Sequence, residues 1–193
     1  MRCDRLDAVS AVRLGEVERT VGRAKQQRRL RRVQAALERH GLAATALVIE
    51  VTESSVLADP LRVHDVLARL DELGVGLSLD DFGTGFSSLA HLKTLPVDEI
   101  KIDKSFVTRM TSNPADSAIV DATITLAHRL GKRIVAEGIE DDETWQSITA
   151  AGCDLIQGFA LSPPLQAKEL EAVLNRFEVC IQPIASPKTA TAA

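Results

Sequence analysis

Several carboxylates and one lysine of this sequence stand near the ends of consecutive strand-like runs. Glu50, the adjacent Asp80 and Asp81, and Glu137 each close an apolar run, and Lys101 lies within another. Carboxylates grouped in a half-buried place repel one another unless cations neutralise them. Oxygen ligands of this kind suit Mg²⁺ or Mn²⁺, and two such ions can clamp a phosphoryl group during hydrolysis. The pattern therefore favours metal-dependent phosphoryl chemistry, with Lys101 suited to hold the attacking water or a charged phosphate oxygen.

Each of these residues also has a simpler interpretation. A single Glu50 or Glu137 near a strand end can be a surface charge or a helix cap. Lys101 can pair with Asp103, and Asp81 can cap the helix that FGTGFSSL opens. The adjacent aspartates are stronger evidence, because strand alternation turns one of them inward. Four acids and one lysine at consecutive strand ends together favour a metal site.

The elements that must position these residues are short β-rich runs alternating with amphipathic segments. The runs are ALVIEV (46–51), VGLSLDDF (75–82), DEIKID (98–103), KRIVAEGI (132–139) and CDLIQGFAL (153–161). Apolar residues at helical spacing occupy PLRVHDVLARLDELG, residues 117–131, DDETWQSITAAG and PLQAKELEAVLNRF. This alternation predicts an α/β fold with a parallel sheet or barrel, in which the carboxyl ends of the strands meet at one mouth.

Composition and charge indicate a globular protein and narrow its partners. The 193 residues are 45% hydrophobic and 26% charged, with a formal net charge of -4, which gives no support for a nucleic-acid partner. No apolar run is long enough to span a membrane. The cysteines lack the spacing of a disulfide framework or a zinc site. We therefore predict a cytoplasmic protein with no membrane span and no nucleic-acid partner.

The two ends of the sequence differ from its middle. Residues 23–39 are rich in Lys and Arg and carry a narrow apolar stripe, which predicts a basic helix. Such a helix could contact lipid or nucleic acid, although a solvated helix face is the simpler interpretation. No strand is predicted before residue 23, and IQPIASPKTATAA at 181–193 is typical of disorder. We therefore divide the chain into a basic segment 1–28, a main domain 29–178 and a disordered tail 179–193.

Five motifs resemble, in the same order, those of EAL domains. IEVTES (49–54) resembles the ExTE motif, LSLDDFGTGFSSL (77–89) the DDFGTG loop, LPVDEIKIDKSFV (95–107) the KIDxSFV strand, VAEGIE (135–140) the AEGVE strand and GCDLIQGFALSPP (152–164) the QGYxxS segment. The resemblance implies a TIM-like (β/α)₈ barrel of the EAL type with one antiparallel strand. It also implies hydrolysis of cyclic-di-GMP to linear pGpG with two Mg²⁺ or Mn²⁺ ions.

The same resemblance implies a role for each matching residue of the site. Glu50 would ligate the first metal, Asp80 would bridge both metals, and Asp81 and Glu137 would bind the second. Glu137 would also be the catalytic base, and Lys101 would contact the nucleophilic water.

Further implied roles concern the substrate loop. Glu53 would anchor that loop, and Gln157 would face the site near the water or phosphate. Phe86 and Phe159 replace tyrosines that are usual in the family. The loop residues are Phe82, Gly83, Thr84 and Gly85.

The resemblance fails ahead of about residue 30. Neither the family's opening strand, which carries the E-A-L motif, nor its VNxS strand has a counterpart in the sequence. We therefore expect an N-terminally incomplete barrel whose first metal keeps only Glu50 and Asp80, and a phosphodiesterase impaired by truncation. The alternative is an inactive module that binds cyclic-di-GMP or a partner protein. Because family members often dimerise near the DDFGTG loop, a homodimer is also predicted.

Overall fold

One parallel sheet organises the chain. The computed structural model describes residues 11–13, 23–85, 89–166 and 169. Within these residues each strand pairs in parallel with the next one along the chain, giving a sheet of six strands. The strands are β1 Ala11–Arg13, β2 Val48–Thr52, β3 Gly76–Phe82, β4 Glu99–Ile102, β5 Arg133–Glu137 and β6 Leu155–Gln157. Strands β2 to β6 are the five predicted from the sequence, so the parallel α/β fold is confirmed.

Helices fill the intervals between the strands, as in successive units of a (β/α) barrel. They are α1 Arg23–His40, α2 Glu53–Ala58, α3 Pro60–Glu72, α4 Leu89–Thr94, α5 Lys104–Val107, α6 Pro114–Arg129 and α7 Asp142–Ala150, with a 3₁₀ turn at Ala44–Ala46. The predicted basic helix is α1. The helix predicted for PLQAKELEAVLNRF lies largely outside the described residues. None of the helices in the described part of the chain is long and apolar enough to cross a membrane.

Local sequence signals explain where the longer helices begin. Both α3 and α6 start at a proline, whose missing N–H costs nothing in the first helical turn. The side chain of Asp59 accepts a hydrogen bond from the backbone of Arg62, and that of Asn113 accepts one from Ala115. These caps orient the helices before tertiary packing adds its larger contribution.

The sheet has two chemically different faces. One face packs against the helices in the hydrophobic core and is formed by Ile49, Val51, Leu77, Leu79, Ile100, Ile102, Ile134 and Ala136. The alternate residues on the other face include the buried polar side chains Glu50, Ser78, Asp80, Glu99 and Lys101. Because side chains alternate along a strand, a run that reads as mostly apolar can still line a polar interior.

The first strand lies where the sequence indicated none. β1 pairs in parallel with β2 and places Arg13 opposite Glu50. The expectation that no strand precedes residue 23 is therefore wrong. A strand of three residues is too short to show an alternating pattern, and its pairing with β2 is what defines it. The predicted domain boundaries stay predictions, and the tail at 179–193 lies outside the described residues.

Candidate active site

The end of β3 brings two consecutive carboxylates to one place. Leu79 pairs with Ile100 and Phe82 with Ile102, so β3 uses one more residue than β4 over this interval. Such a bulge re-aims a side chain that regular alternation would turn away. The extra residue leaves Asp81 in the left-handed region at a φ of 57°, a conformation that aspartate tolerates better than most residues.

Three carboxylates come within reach of one cation as a result. One oxygen from each of Asp80, Asp81 and Glu137 lies within 4.8 Å of the others. Asp80 is fully buried, whereas the other two are half-buried. Carboxylate oxygens in this number and spacing fit a Mg²⁺ or Mn²⁺ ion, which prefers oxygen ligands and keeps part of its water shell.

Lys101 is the positive centre of the arrangement. Its buried ammonium donates a hydrogen bond to Glu50 Oε1 at 2.7 Å, contacts Glu137, and lies 3.4 Å from Asp80 Oδ1. Four neighbouring strands, β2 to β5, each contribute one of these residues. The alternative in which Lys101 pairs with Asp103 is wrong, because Asp103 lies past the end of β4 and caps α5 through the backbone of Ser105.

Burial and charge shift the pKa values of this cluster. Burial by itself lowers the pKa of Lys101, but hydrogen bonds to Glu137 and Glu50 and the charge of Asp80 outweigh it and raise that pKa. Burial also raises the pKa of Glu137, against the opposing influence of Lys101. The lysine therefore remains an ammonium at neutral pH, and Glu137 is a stronger base than an exposed glutamate.

The loop after β3 is tied to a second, fully buried glutamate. Glu53 Oε2 accepts backbone hydrogen bonds from Gly83 at 3.0 Å and Gly85 at 3.2 Å. A Cβ at Gly85 would lie 3.1 Å from the Glu53 carboxyl group. Only glycine therefore lets the loop backbone approach Glu53 this closely without displacing the side chain. Thr84 completes the turn by donating its hydroxyl to the Asp81 carbonyl oxygen at 2.9 Å. Phe86 lies outside the described residues.

The last strand adds polar and aromatic side chains at the same end of the sheet. Gln157 is opposite Glu137 in the register of β5 and β6 and has an exposed side chain. Phe159, two residues on, is 63% exposed. Gln157 thus lies beside the cluster rather than within the group of three carboxylates.

Sequence reasoning overlooked a second polar group on the inner face of the sheet. Glu99 is buried and accepts a hydrogen bond from Arg133 at 2.9 Å, one layer below the cluster. Burial raises the pKa of Glu99, and the Arg133 charge opposes that rise. The available signal was the alternation of Glu99 with Lys101, which places both residues on one face of β4.

Comparison with known proteins identifies the class. The family model described as the EAL domain matches residues 6–164, so the chain belongs to the EAL domain family. The fold is accordingly that of the EAL-type, TIM-like barrel, of which the described residues form six strands. The matched range begins at residue 6, whereas the motifs read from the sequence match the family only after about residue 30.

Two curated relatives from Pseudomonas aeruginosa are similar in sequence. The bifunctional diguanylate cyclase/cyclic di-GMP phosphodiesterase MucR is 44% identical over 140 residues, which are 72% of this chain and 20% of MucR. The cyclic di-GMP phosphodiesterase NbdA is 42% identical over 145 residues, which are 75% of this chain and 18% of NbdA. The chain thus spans about a fifth of the length of these relatives.

Solved structures agree in fold. The phosphodiesterase of MucR in complex with c-di-GMP superposes with a TM-score of 0.74 at 40% identity, covering 83% of this chain and 63% of that one. A manganese and cyclic-di-GMP complex of Klebsiella pneumoniae BlrP1 gives a TM-score of 0.65 at 33% identity, covering 74% and 36%.

Proposed function

We propose that this chain binds cyclic-di-GMP and hydrolyses it to linear pGpG with Mg²⁺ or Mn²⁺. The observation that carries the proposal is the contact of Lys101 with carboxylates from three other strands. Two of these carboxylates also lie close to Asp81, and the whole group is at the carboxyl ends of a parallel sheet. The choice of substrate is supported by similarity to proteins named as cyclic-di-GMP phosphodiesterases.

The metal would be held by Asp80, Asp81 and Glu137. A divalent cation bound there supplies Lewis-acid polarisation of a phosphoryl oxygen and lowers the pKa of a bound water. Glu50, the further ligand implied by the family motif, stays a predicted ligand. Its carboxylate is bonded to Lys101 in this structure.

Lys101 and Glu137 have complementary tasks in the proposed reaction. The ammonium of Lys101 donates hydrogen bonds to the attacking water or to a phosphoryl oxygen on which charge builds up. Glu137 accepts the proton that the water loses as its oxygen bonds to phosphorus. The bond from phosphorus to the ribose 3′ oxygen breaks, and that oxygen takes up a proton from solvent. Glu137 returns its proton to solvent, so one water is consumed for each pGpG released.

The loop at 82–85 has a positioning task in this proposal. Its backbone is fixed to Glu53 by the hydrogen bonds of Gly83 and Gly85. A loop held in this way keeps Asp81 in its unusual backbone conformation. Gln157, on the opposite side of Glu137, is proposed to face the water or phosphate.

The test is cyclic-di-GMP turnover by purified chain in excess Mn²⁺, beside a Glu137→Ala control. We expect pGpG from the wild type and none from the control. Folded wild-type chain that binds cyclic-di-GMP without producing pGpG would contradict hydrolysis and favour the alternative, a binding module in signalling.

We also propose a homodimer, which rests on the family resemblance. Light scattering across the micromolar range measures the mass directly, and a mass of one chain at every concentration would contradict it. The cytoplasmic location stays a prediction from the sequence.

A further inference from the structure

The short helix after β4 lies next to two strand ends that carry carboxylates of the site. Asp81 is at the end of β3 and Glu137 at the end of β5, and the strand order places β4 between them. The helix α5, Lys104–Val107, follows β4 after a single residue. The two carboxylates therefore belong to loops on either side of the chain segment that forms α5.

Two glycines bring these neighbouring loops into close contact with α5. A Cβ at Gly83 would lie 3.0 Å from Cε2 of the Phe106 ring, and one at Gly138 would lie 2.6 Å from the Lys104 Cβ. The first glycine is two residues after the aspartate of β3, and the second directly follows the glutamate of β5. Because glycine has no side chain, the backbone beside each carboxylate packs directly on α5.

The helix α5 is itself fixed to the rest of the protein. Val107 is fully buried in the hydrophobic core. Asp103 caps the helix by accepting a hydrogen bond from the Ser105 N–H at 2.9 Å. Arg109 donates its Nε to the Ser105 carbonyl oxygen at 2.8 Å and lies 3.0 Å from Asp116 of α6. These contacts hold α5 in place independently of the loops after β3 and β5.

Phe106 is the side chain of α5 that contacts the loop after β3. The Gly83 N–H is bonded to Glu53 Oε2 at 3.0 Å, and the half-buried Phe106 ring packs against the same residue. A hydrogen bond fixes one atom of the loop, whereas a ring packed on the backbone restricts movement of the loop toward α5. Glu53 and Phe106 thus hold the same point of the loop through two different kinds of contact.

We propose that Phe106 is a positioning residue that holds the loop after β3 where Asp81 and Glu137 share a divalent cation. Phe106 acts through the backbone of Gly83 and is not itself a ligand. The contact of Gly138 with Lys104 places the loop after β5 on the same helix. This inference rests on the proposed function, since it concerns the same site.

The first test compares Phe106→Ala with Val107→Ala, a truncation in the same helix. Calorimetric titration of the metal-free chain with Mn²⁺ gives the affinity, and thermal melts of the same samples give the stability. Phe106→Ala should weaken Mn²⁺ binding by about tenfold or more, as is typical of groups that orient a metal's ligands. Val107→Ala should lower the thermal midpoint through lost core packing and leave the Mn²⁺ affinity nearly unchanged. If Phe106→Ala does not fold, Phe106→Leu, which keeps more apolar volume, takes its place.

The second test measures the loop without any metal. The N–H groups of Gly83 and Gly85 are bonded to Glu53, so their hydrogen exchange reports opening of the loop. Exchange in these residues should be faster in Phe106→Ala than in wild type and Val107→Ala, after correction for the stability of each variant.

Three results would overturn the proposal: no Mn²⁺ binding by wild type, equal losses of Mn²⁺ affinity in the two variants, or loop exchange that Phe106→Ala does not change. Turnover separates this inference from the proposed function. A selective loss of Mn²⁺ affinity in Phe106→Ala, with no pGpG from wild type, supports positioning and contradicts hydrolysis. Production of pGpG by wild type, with full Mn²⁺ affinity in Phe106→Ala, does the reverse.

Discussion

The two ends of the sheet both carry charged side chains, in opposite arrangements. At the end where the strands begin, two acids accept hydrogen bonds from the backbone of a neighbouring strand. Asp98 Oδ2 accepts a hydrogen bond from the Leu77 N–H, and Asp154 Oδ2 accepts one from the Ile134 N–H, both at 2.9 Å. Lys132 Nζ donates to two backbone carbonyl oxygens at the same end.

At the end where the strands finish, acids crowd around a single lysine. Four carboxylates, those of Glu50, Asp80, Asp81 and Glu137, lie at or beside Lys101. Side chains that bond to backbone N–H and C=O groups at the strand ends satisfy groups that would otherwise lack partners, and so they stabilise the fold. Several carboxylates close together repel one another and destabilise the fold. Such groups are typical of functional sites, where a bound cation or ligand compensates their charge. The end where the strands begin is therefore a stabilising end, and the end where they finish is the proposed functional end, as is general for barrels of parallel strands.

The largest effect should come from Glu137→Gln at the functional end. Removing a general base lowers turnover by about 10²–10⁴-fold. The thermal midpoint should change little, because Lys101 still pairs with Glu50. Turnover and thermal melts of this variant are to be compared with those of Asp154→Asn at the other end, for which we expect normal turnover. Equal losses of activity would break the division between the two ends.

The next effect should come from glycines at the two ends. A Cβ at Gly158, after β6, would lie 2.1 Å from the Ile139 carbonyl oxygen, so the backbone must move. Gly158→Ala should lower the free energy of unfolding by about 3 kcal/mol, the upper range for overpacking. Gly131, before β5, has a φ of +67° and open space around its Cβ position. Gly131→Ala should cost only about 1 kcal/mol from the left-handed backbone.

Urea unfolding of the two glycine variants checks this prediction. A cost for Gly131→Ala equal to or greater than that for Gly158→Ala would contradict it. That result would mean that the left-handed backbone at Gly131 affects stability more than the close approach of Gly158 to Ile139 does.

A smaller effect should come from Asp98→Ala at the stabilising end. The substitution leaves the Leu77 N–H without its side-chain acceptor, whereas the backbone bonds of Asp98 to Leu77 and Arg133 persist. A lost acceptor for a buried donor costs about 2 kcal/mol. Chemical denaturation should show this loss with turnover per folded chain intact. Asp98→Asn, which keeps an oxygen acceptor, is the matched control and should lose less.

The smallest effect concerns Cys153, just before β6. Burial raises the pKa of its thiol to about 12, against hydrogen bonds that favour the thiolate. The raised pKa means that the folded state keeps the proton longer than the unfolded state does. The associated stability is present below the ordinary thiol pKa and is lost as pH rises toward about 12. Alkylation of Cys153 at pH 8, followed by peptide mass mapping, should be much slower in folded than in urea-unfolded chain. Equal rates would contradict the burial argument.

Most elements could be predicted because their signals are local. The apolar runs of β2 to β6 and the proline starts of α3 and α6 are properties of a few neighbouring residues. β1 was missed because its three residues carry no such signal. The bulge at Asp81 was missed as well, because register between strands is a property of a pair and not of one run.

The sequence by itself determined which residues could do chemistry, since strand order and direction bring the ends of β2 to β5 together. Only the tertiary structure decided how their charges are shared. Lys101 and Glu50 are 51 residues apart in the chain, and nothing local distinguishes that partner from Asp103, which lies two residues away. The choice follows from packing: the sheet buries Lys101 among acids of neighbouring strands, while the end of β4 turns Asp103 toward the next helix.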